Sequence, residues 1–160
     1  MKLGLVLHDL HHHENRLAHH LLRVAERHGA DHEIHQLGQD LAAWSHRHIR
    51  ELAHVATRYG LDLDPGPGRR SALLDRLQER AGELGAGRDH AELVLLYDLR
   101  QICTDATGVR LDWDMVVQGA QAAKDAELLA LARSCVRETE RQIHWAEGKL
   151  KESAPQILAT

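Results

Sequence analysis

The side chains in this sequence whose types and positions suit metal chemistry are Glu14, His48, Asp98, Glu140 and His144. Carboxylates and imidazoles together form the donor set that holds iron, manganese or zinc. Glu14 stands between Leu10 and Leu17 on an apolar helical stripe. An ionised carboxylate buried alone costs several kcal/mol, so it must be paired, protonated or bound to a cation. A partner arginine or histidine would satisfy it, and so would a metal. His48, with Leu41 and Trp44 before it and Leu52 and Val55 after, sits in the matching place on a second stripe, either as a satisfied core histidine or as a ligand. Asp98 falls between Val94 and Ile102 and points at least partly inward, the other reading being a surface aspartate. Glu140 and His144, one turn apart, share a helix face and reach one ion together or stand as an exposed pair. His46, Glu51, His54 and Glu147 form a second rank.

Histidine is the commonest protein metal ligand and also a residue that titrates near neutrality. The chain has fourteen histidines, twelve of them within the first 54 residues. They cannot all serve one site, so what matters is which of them face inward.

The elements that must position these groups are helices. Leucine, alanine, arginine and glutamate dominate, phenylalanine is absent and there are three prolines. Apolar residues recur at intervals of three and four, and strand-like alternation is missing. A first helix is expected from Leu3 to His28, with Gly29 as its C-terminal cap. Asp31 can cap a second, from His32 to Tyr59, with stripe Ile34, Leu37, Leu41, Trp44, His48, Leu52 and Val55, closed by Gly60. So short a turn makes the two antiparallel neighbours. The run Leu61–Gly68 contains Pro65 and Pro67 and cannot be helical. Ser71 then opens a short amphipathic helix reaching Leu84. A third helix is expected from Asp89 to Ala106, interrupted at Gly108 and followed by a further piece over Trp113–Ala123. Asp125 can cap the fourth, with Leu128, Leu129, Ala132, Val136, Thr139, Ile143, Ala146 and Leu150 inward and Pro155 marking a fraying tail.

This reading gives an all-α domain over residues 1–154 with a tail over 155–160: a four-helix bundle with one long crossover between helices two and three. Such a crossover distinguishes ferritin-like topology from the up-down-up-down bundle, which needs only short loops. With these turns Glu14, His48 and His144 lie at nearly the same height; a turn at Gly108 instead would carry His144 about 50 Å away at 1.5 Å per residue.

Composition excludes several functions. A formal charge of −4 leaves too little positive charge for sequence-independent nucleic-acid binding. No apolar run approaches the roughly 18 residues that span a bilayer. The apolar start is cut off by His8 and Asp9 too early for a signal segment, so a cytoplasmic protein is expected. Cys103 and Cys135 then read as free thiols inside helices. There is no phosphate loop, nucleophile elbow or CxxC, and no small-molecule substrate is suggested.

The run Leu7-His8-Asp9-Leu10-His11-His12-His13-Glu14-Asn15-Arg16-Leu17 resembles the first helix of the bacterial stress-associated ferritin-like proteins, where a short motif supplies the first carboxylate. Trp44-Ser45-His46-Arg47-His48 falls where that family has its second-helix glutamate and histidine. Leu96-Tyr97-Asp98 and Thr139-Glu140-Arg141-Gln142-Ile143-His144 are similar to its third- and fourth-helix ligand segments. The resemblance implies a ferritin-like fold and a metal-binding protein with a stress or redox role. It also departs from the pattern. Di-iron members carry Glu-x-x-His on two helices, whereas here Ser45 and Arg141 stand three before His48 and His144. A serine cannot bridge two irons and an arginine repels them. The reduced set suits a single transition-metal ion (iron, manganese or zinc), or no metal at all. A metal-free helical interaction module, acting as a homodimer, is the alternative from a different class. A hemerythrin-like iron or oxygen binder is a third, on His11, His48 and His144 with Glu14, Glu51 and Glu147 three residues later.

Overall fold

The computed structural model describes residues 2–67 and 88–159. Its elements are α1 (Lys2–Arg27), α2 (His32–Ala56), a 3-10 turn (Thr57–Tyr59), α3 (Arg88–Ala123) and α4 (Ala126–Leu158). The short helix expected between Ser71 and Leu84 lies outside the described residues.

Each helix buries a stripe in alternating steps of three and four. On α1 it is Leu7, Leu10, Glu14, Leu17, Leu21 and Val24; on α2 it is Ile34, Gly38, Leu41, Ser45, His48, Leu52 and Val55. On α3 it is Leu99, Ile102, Ala106, Val109, Trp113, Val116 and Ala120. On α4 it is Leu128, Ala132, Cys135, Thr139, Gln142, Ala146, Lys149 and Ser153. A seven-residue repeat of this kind keeps one seam facing the partners along the whole length.

Cross-helix bonds fix the directions. Between α1 and α3, His13 meets Asp112 and Arg27 meets Asp98, so numbers rise on one helix as they fall on the other. Between α2 and α4, Arg47 meets Glu138 and Lys149 meets Glu33, again antiparallel. With α1–α2 and α3–α4 as hairpins, the order is up, down, down, up. Helices two and three therefore run parallel, so the end of α2 and the start of α3 lie at opposite ends of the bundle. After Gly60 the described chain runs beside α1: His11 Nε2 donates to the Asp64 carbonyl at 2.7 Å, and Leu61 and Leu63 pack on the core.

Local chemistry explains the ends. Asp31 and Asp125 cap α2 and α4 by accepting from the backbone N–H groups of Ile34 and Leu128. Gly60 takes φ 74° and Leu61 N–H reaches the Ala56 carbonyl at 3.2 Å, a left-handed helix stop. Gly29 does not take that conformation, contrary to expectation. The turn after α1 closes with Asp31 N–H on the His28 carbonyl, and His35 Nδ1 donates to the Ala25 carbonyl at 2.9 Å, capping α1 from α2. Gly38 sits where the two helices touch: a Cβ there would lie 2.9 Å from the Cβ of Ala25 and 3.2 Å from the Leu21 carbonyl oxygen.

Two further expectations are corrected. Gly108 does not interrupt the third helix, which is continuous through Ala123. A helical glycine costs about 1 kcal/mol against alanine, and the buried residues on both sides of it, Ala106, Val109 and Trp113, hold the backbone in place. Pro155 lies inside α4, in its last turns, where the missing N–H removes a single bond near the helix end.

Candidate functional site

Glu14 and His48 meet at the centre of the bundle, 0% and 1% exposed. His48 Nδ1 donates to Glu14 Oε1 at 2.8 Å, and the indole N–H of Trp113 on α3 donates to the same oxygen at 2.7 Å. On its other side His48 Nε2 donates to Glu138 Oε2 of α4 at 3.1 Å. Arg47 closes the line with a short ion pair to Glu138 at the rim. One polar chain, Trp113–Glu14–His48–Glu138–Arg47, thus ties all four helices together at mid-height.

Both ring nitrogens of His48 face carboxylates, so both carry protons. Burial works against the charged ring, but the Glu14 carboxylate and hydrogen bonds to Cys135 and Glu14 outweigh it, raising its pKa to about 11. The Cys135 thiol is pushed up by its own burial, which the bond and charge of His48 only partly offset. The Trp113 ring meets His48 edge to face at 6.1 Å. It is among the largest fully buried side chains and fills the space between the helices. Glu14 Oε2 is buried without a hydrogen-bond partner among the described residues.

A second polar layer lies beside the first. Gln142 Nε2 donates to Ser45 Oγ and to the Leu41 carbonyl, both at 2.9 Å, and Thr139 Oγ1 donates to the Cys135 carbonyl. Ser45 therefore bonds to an amide across the seam.

The other three expected site residues are placed elsewhere. Asp98 is buried, but against Arg27 (3.0 Å) and His28 (2.8 Å), near the far end of α1. Arg27 lies thirteen residues beyond Glu14, about 20 Å along the axis. Asp98 belongs to a ladder on the α1–α3 seam. His13 pairs with Asp112 at 2.6 Å, His20 with Asp105 through a short bond, and Arg27 with Asp98, each rung seven residues from the next. His28 and Arg27 hold the Asp98 carboxyl below its ordinary range against the opposing effect of burial, and His20 does the same for Asp105. Glu140 and His144 are exposed and line an open groove on the outside of α4 with Arg137, Arg141 and Trp145. The reason is a rotation of one residue: α4 turns Gln142 and Lys149 inward where Ile143 and Leu150 were expected, and Glu140 and His144 turn outward with the change. The second-rank Glu51 and His54 line another groove, with Arg50, Val55, Glu127 and Leu131.

The five-residue ligand set is thus not brought together. At the centre the two carboxylates flank opposite edges of one imidazole and do not converge on a common point. Among the described residues, no three His, Cys, Asp or Glu side chains are grouped so as to hold a metal ion. Trp113, Glu138 and Gln142 complete the central network and were not singled out from sequence. No described helix is long and apolar enough to cross a membrane. Comparison with family models, with curated proteins and with solved structures gave no match.

Proposed function

We propose that this chain is a ferritin-like bundle whose interhelical centre works as a metal-free, hydrogen-bonded polar core, and that the protein acts as a helical interaction module. The up-down-down-up order of the helices supports the ferritin-like reading. The observation that carries the metal-free reading is the doubly bonded His48: an imidazole donating from both nitrogens has no lone pair for a cation. Ser45, Thr139 and Gln142 line the adjacent layer, and their partners are each other and backbone carbonyls. Trp113 fills the volume between α1 and α2.

The partner we assign is a second copy of the chain. The exposed apolar residues Leu111 (50%) and Met115 (52%), one turn apart on α3, support an external contact surface.

Tag-free protein is expected to hold well under one transition-metal ion per chain by elemental analysis. Its melting temperature should not move on adding a chelator, because any ion bound only to the folded state must raise stability. About one ion per chain, lost in Glu14→Ala/His48→Ala, would overturn the metal-free reading in favour of a single-ion site. Sedimentation of a monomer at all concentrations would remove the homodimer.

A further inference from the structure

The outer face of α4 carries a group of side chains that the internal network does not use. Arg137, Glu140, Arg141, His144 and Trp145 line an open groove of about 640 Å³. Elsewhere the arginines Arg27, Arg47, Arg58 and Arg110 are ion-paired. Arg137 and Arg141 enter no ion pair among the described residues, although Glu140 stands between them in sequence. They are one turn apart on the same face, a spacing at which like charges repel. His144 continues that face one turn further. Trp145 is partly buried and packed on the core, so its ring is a fixed wall of the groove, while Arg137 and Arg141 are exposed.

Two guanidinium forks, an imidazole and a held indole make a specific combination. Guanidinium groups match the tetrahedral oxygens of phosphate with paired, charge-assisted hydrogen bonds. The indole offers a flat apolar surface to a planar body. Glu140 accepts a hydrogen bond from a hydroxyl or amine on that body. We propose that this groove binds a small planar organic phosphate, its phosphoryl group between Arg137 and Arg141 and its ring against Trp145.

The test uses the full chain and phenyl phosphate as the probe, followed by tryptophan fluorescence and by the NMR signal of His144 at low ionic strength. Saturable binding is expected, at least about tenfold weaker in Arg137→Gln/Arg141→Gln because the charge-assisted bonds are gone. Arg141→Lys keeps the charge but loses the fork, and should fall between the two. Inorganic phosphate should bind more weakly than phenyl phosphate at the same residues. Both arginines are in an open groove, so an unchanged melting temperature will show that these variants fold. No saturation by either probe up to about 10 mM, a range covering even weak millimolar binding, overturns the proposal. So does phenyl phosphate binding unchanged in Arg137→Gln/Arg141→Gln. Metal content bears on neither outcome, so this site and the reading of the bundle centre stand or fall separately.

Discussion

Trp113 on α3 donates its indole N–H to Glu14 on α1 at 2.7 Å, and the oxygen that receives it also receives His48 Nδ1–H. Glu14 is therefore the acceptor on which two helices close. Replacing it by glutamine keeps the volume but takes the anion from beside a buried imidazolium. Breaking one side of a buried ion pair costs about 3–5 kcal/mol. Replacing both partners by apolar residues of similar size leaves no charge stranded. Glu14→Gln should thus lose about 3–5 kcal/mol in urea unfolding, and Glu14→Met/His48→Leu distinctly less. A double variant at least as unstable as the single one would show that the pair is not the source of the loss.

The same pair sets a dependence on alkaline pH. Against its burial, the Glu14 carboxylate and the Cys135 and Glu14 hydrogen bonds raise the folded pKa of His48 to about 11. The unfolded value is near 6.5. The folded state therefore holds a proton that the unfolded chain releases above that value. The contribution is fully present below pH about 6.5 and is lost as pH rises through the folded value. His48 should remain an imidazolium at pH 9 by NMR. A neutral His48 ring at pH 8 would contradict the arrangement.

What the sequence disclosed follows from how apolar each seam is. The stripe of α1 is leucine and valine apart from Glu14, so its inward face and the burial of Glu14 were legible from spacing. Equal distances from a short turn brought His48 to the same height, and the two do meet. On α4 the seam itself is polar, with Thr139, Gln142, Lys149 and Ser153 inward. Hydrophobic periodicity then selects Ile143 and Leu150 one residue away, and of the two readings open for Glu140 and His144 the structure shows the exposed one. Spacing turns Asp98 inward, as observed, but its partners Arg27 and His28 lie about seventy residues off, at and just beyond the end of α1, and no local pattern names them. The ladder was legible in retrospect: Asp98, Asp105 and Asp112 repeat at seven, as do His13, His20 and Arg27.

Lys124, between α3 and α4, takes φ 56°, the left-handed conformation, and is the one non-glycine residue described that does so. Its N–H reaches the Gln121 carbonyl at 3.1 Å and that of Asp125 reaches Ala120 at 2.9 Å, the bonding of a glycine-type helix stop. A side chain with a Cβ pays about 1–2 kcal/mol in that conformation. The Lys124 side chain is exposed and makes no ion pair among the described residues, so little is lost with it. Lys124→Gly should stabilise the protein by about 1 kcal/mol, part of the gain being offset by the freer unfolded chain. A fall in melting temperature would mean that the lysine side chain has a role at the turn.

The α1–α3 ladder governs the acid side. Burial alone would raise the carboxyl of Asp105, but the hydrogen bond and charge of His20, with Gln101 and Arg16, lower it. His28 and Arg27 likewise lower Asp98. A carboxyl lowered in the folded state contributes stability that is present above its unfolded value, near 3.9, and is lost as pH falls through the folded value. The seam between α1 and α3 should therefore weaken below pH about 4, while the chain is still at full strength there at neutral pH. Asp105→Asn removes one of the groups responsible. Compared by urea unfolding at pH 7 and pH 3, the variant should be the less stable protein at pH 7 by about 1–3 kcal/mol, the cost of a lost buried hydrogen bond to a charged group. At pH 3, below the unfolded value, the parent has already lost part of that contribution, and the difference should shrink. An equal gap at both pH values would show that the His20–Asp105 rung holds the helices by shape and not by charge.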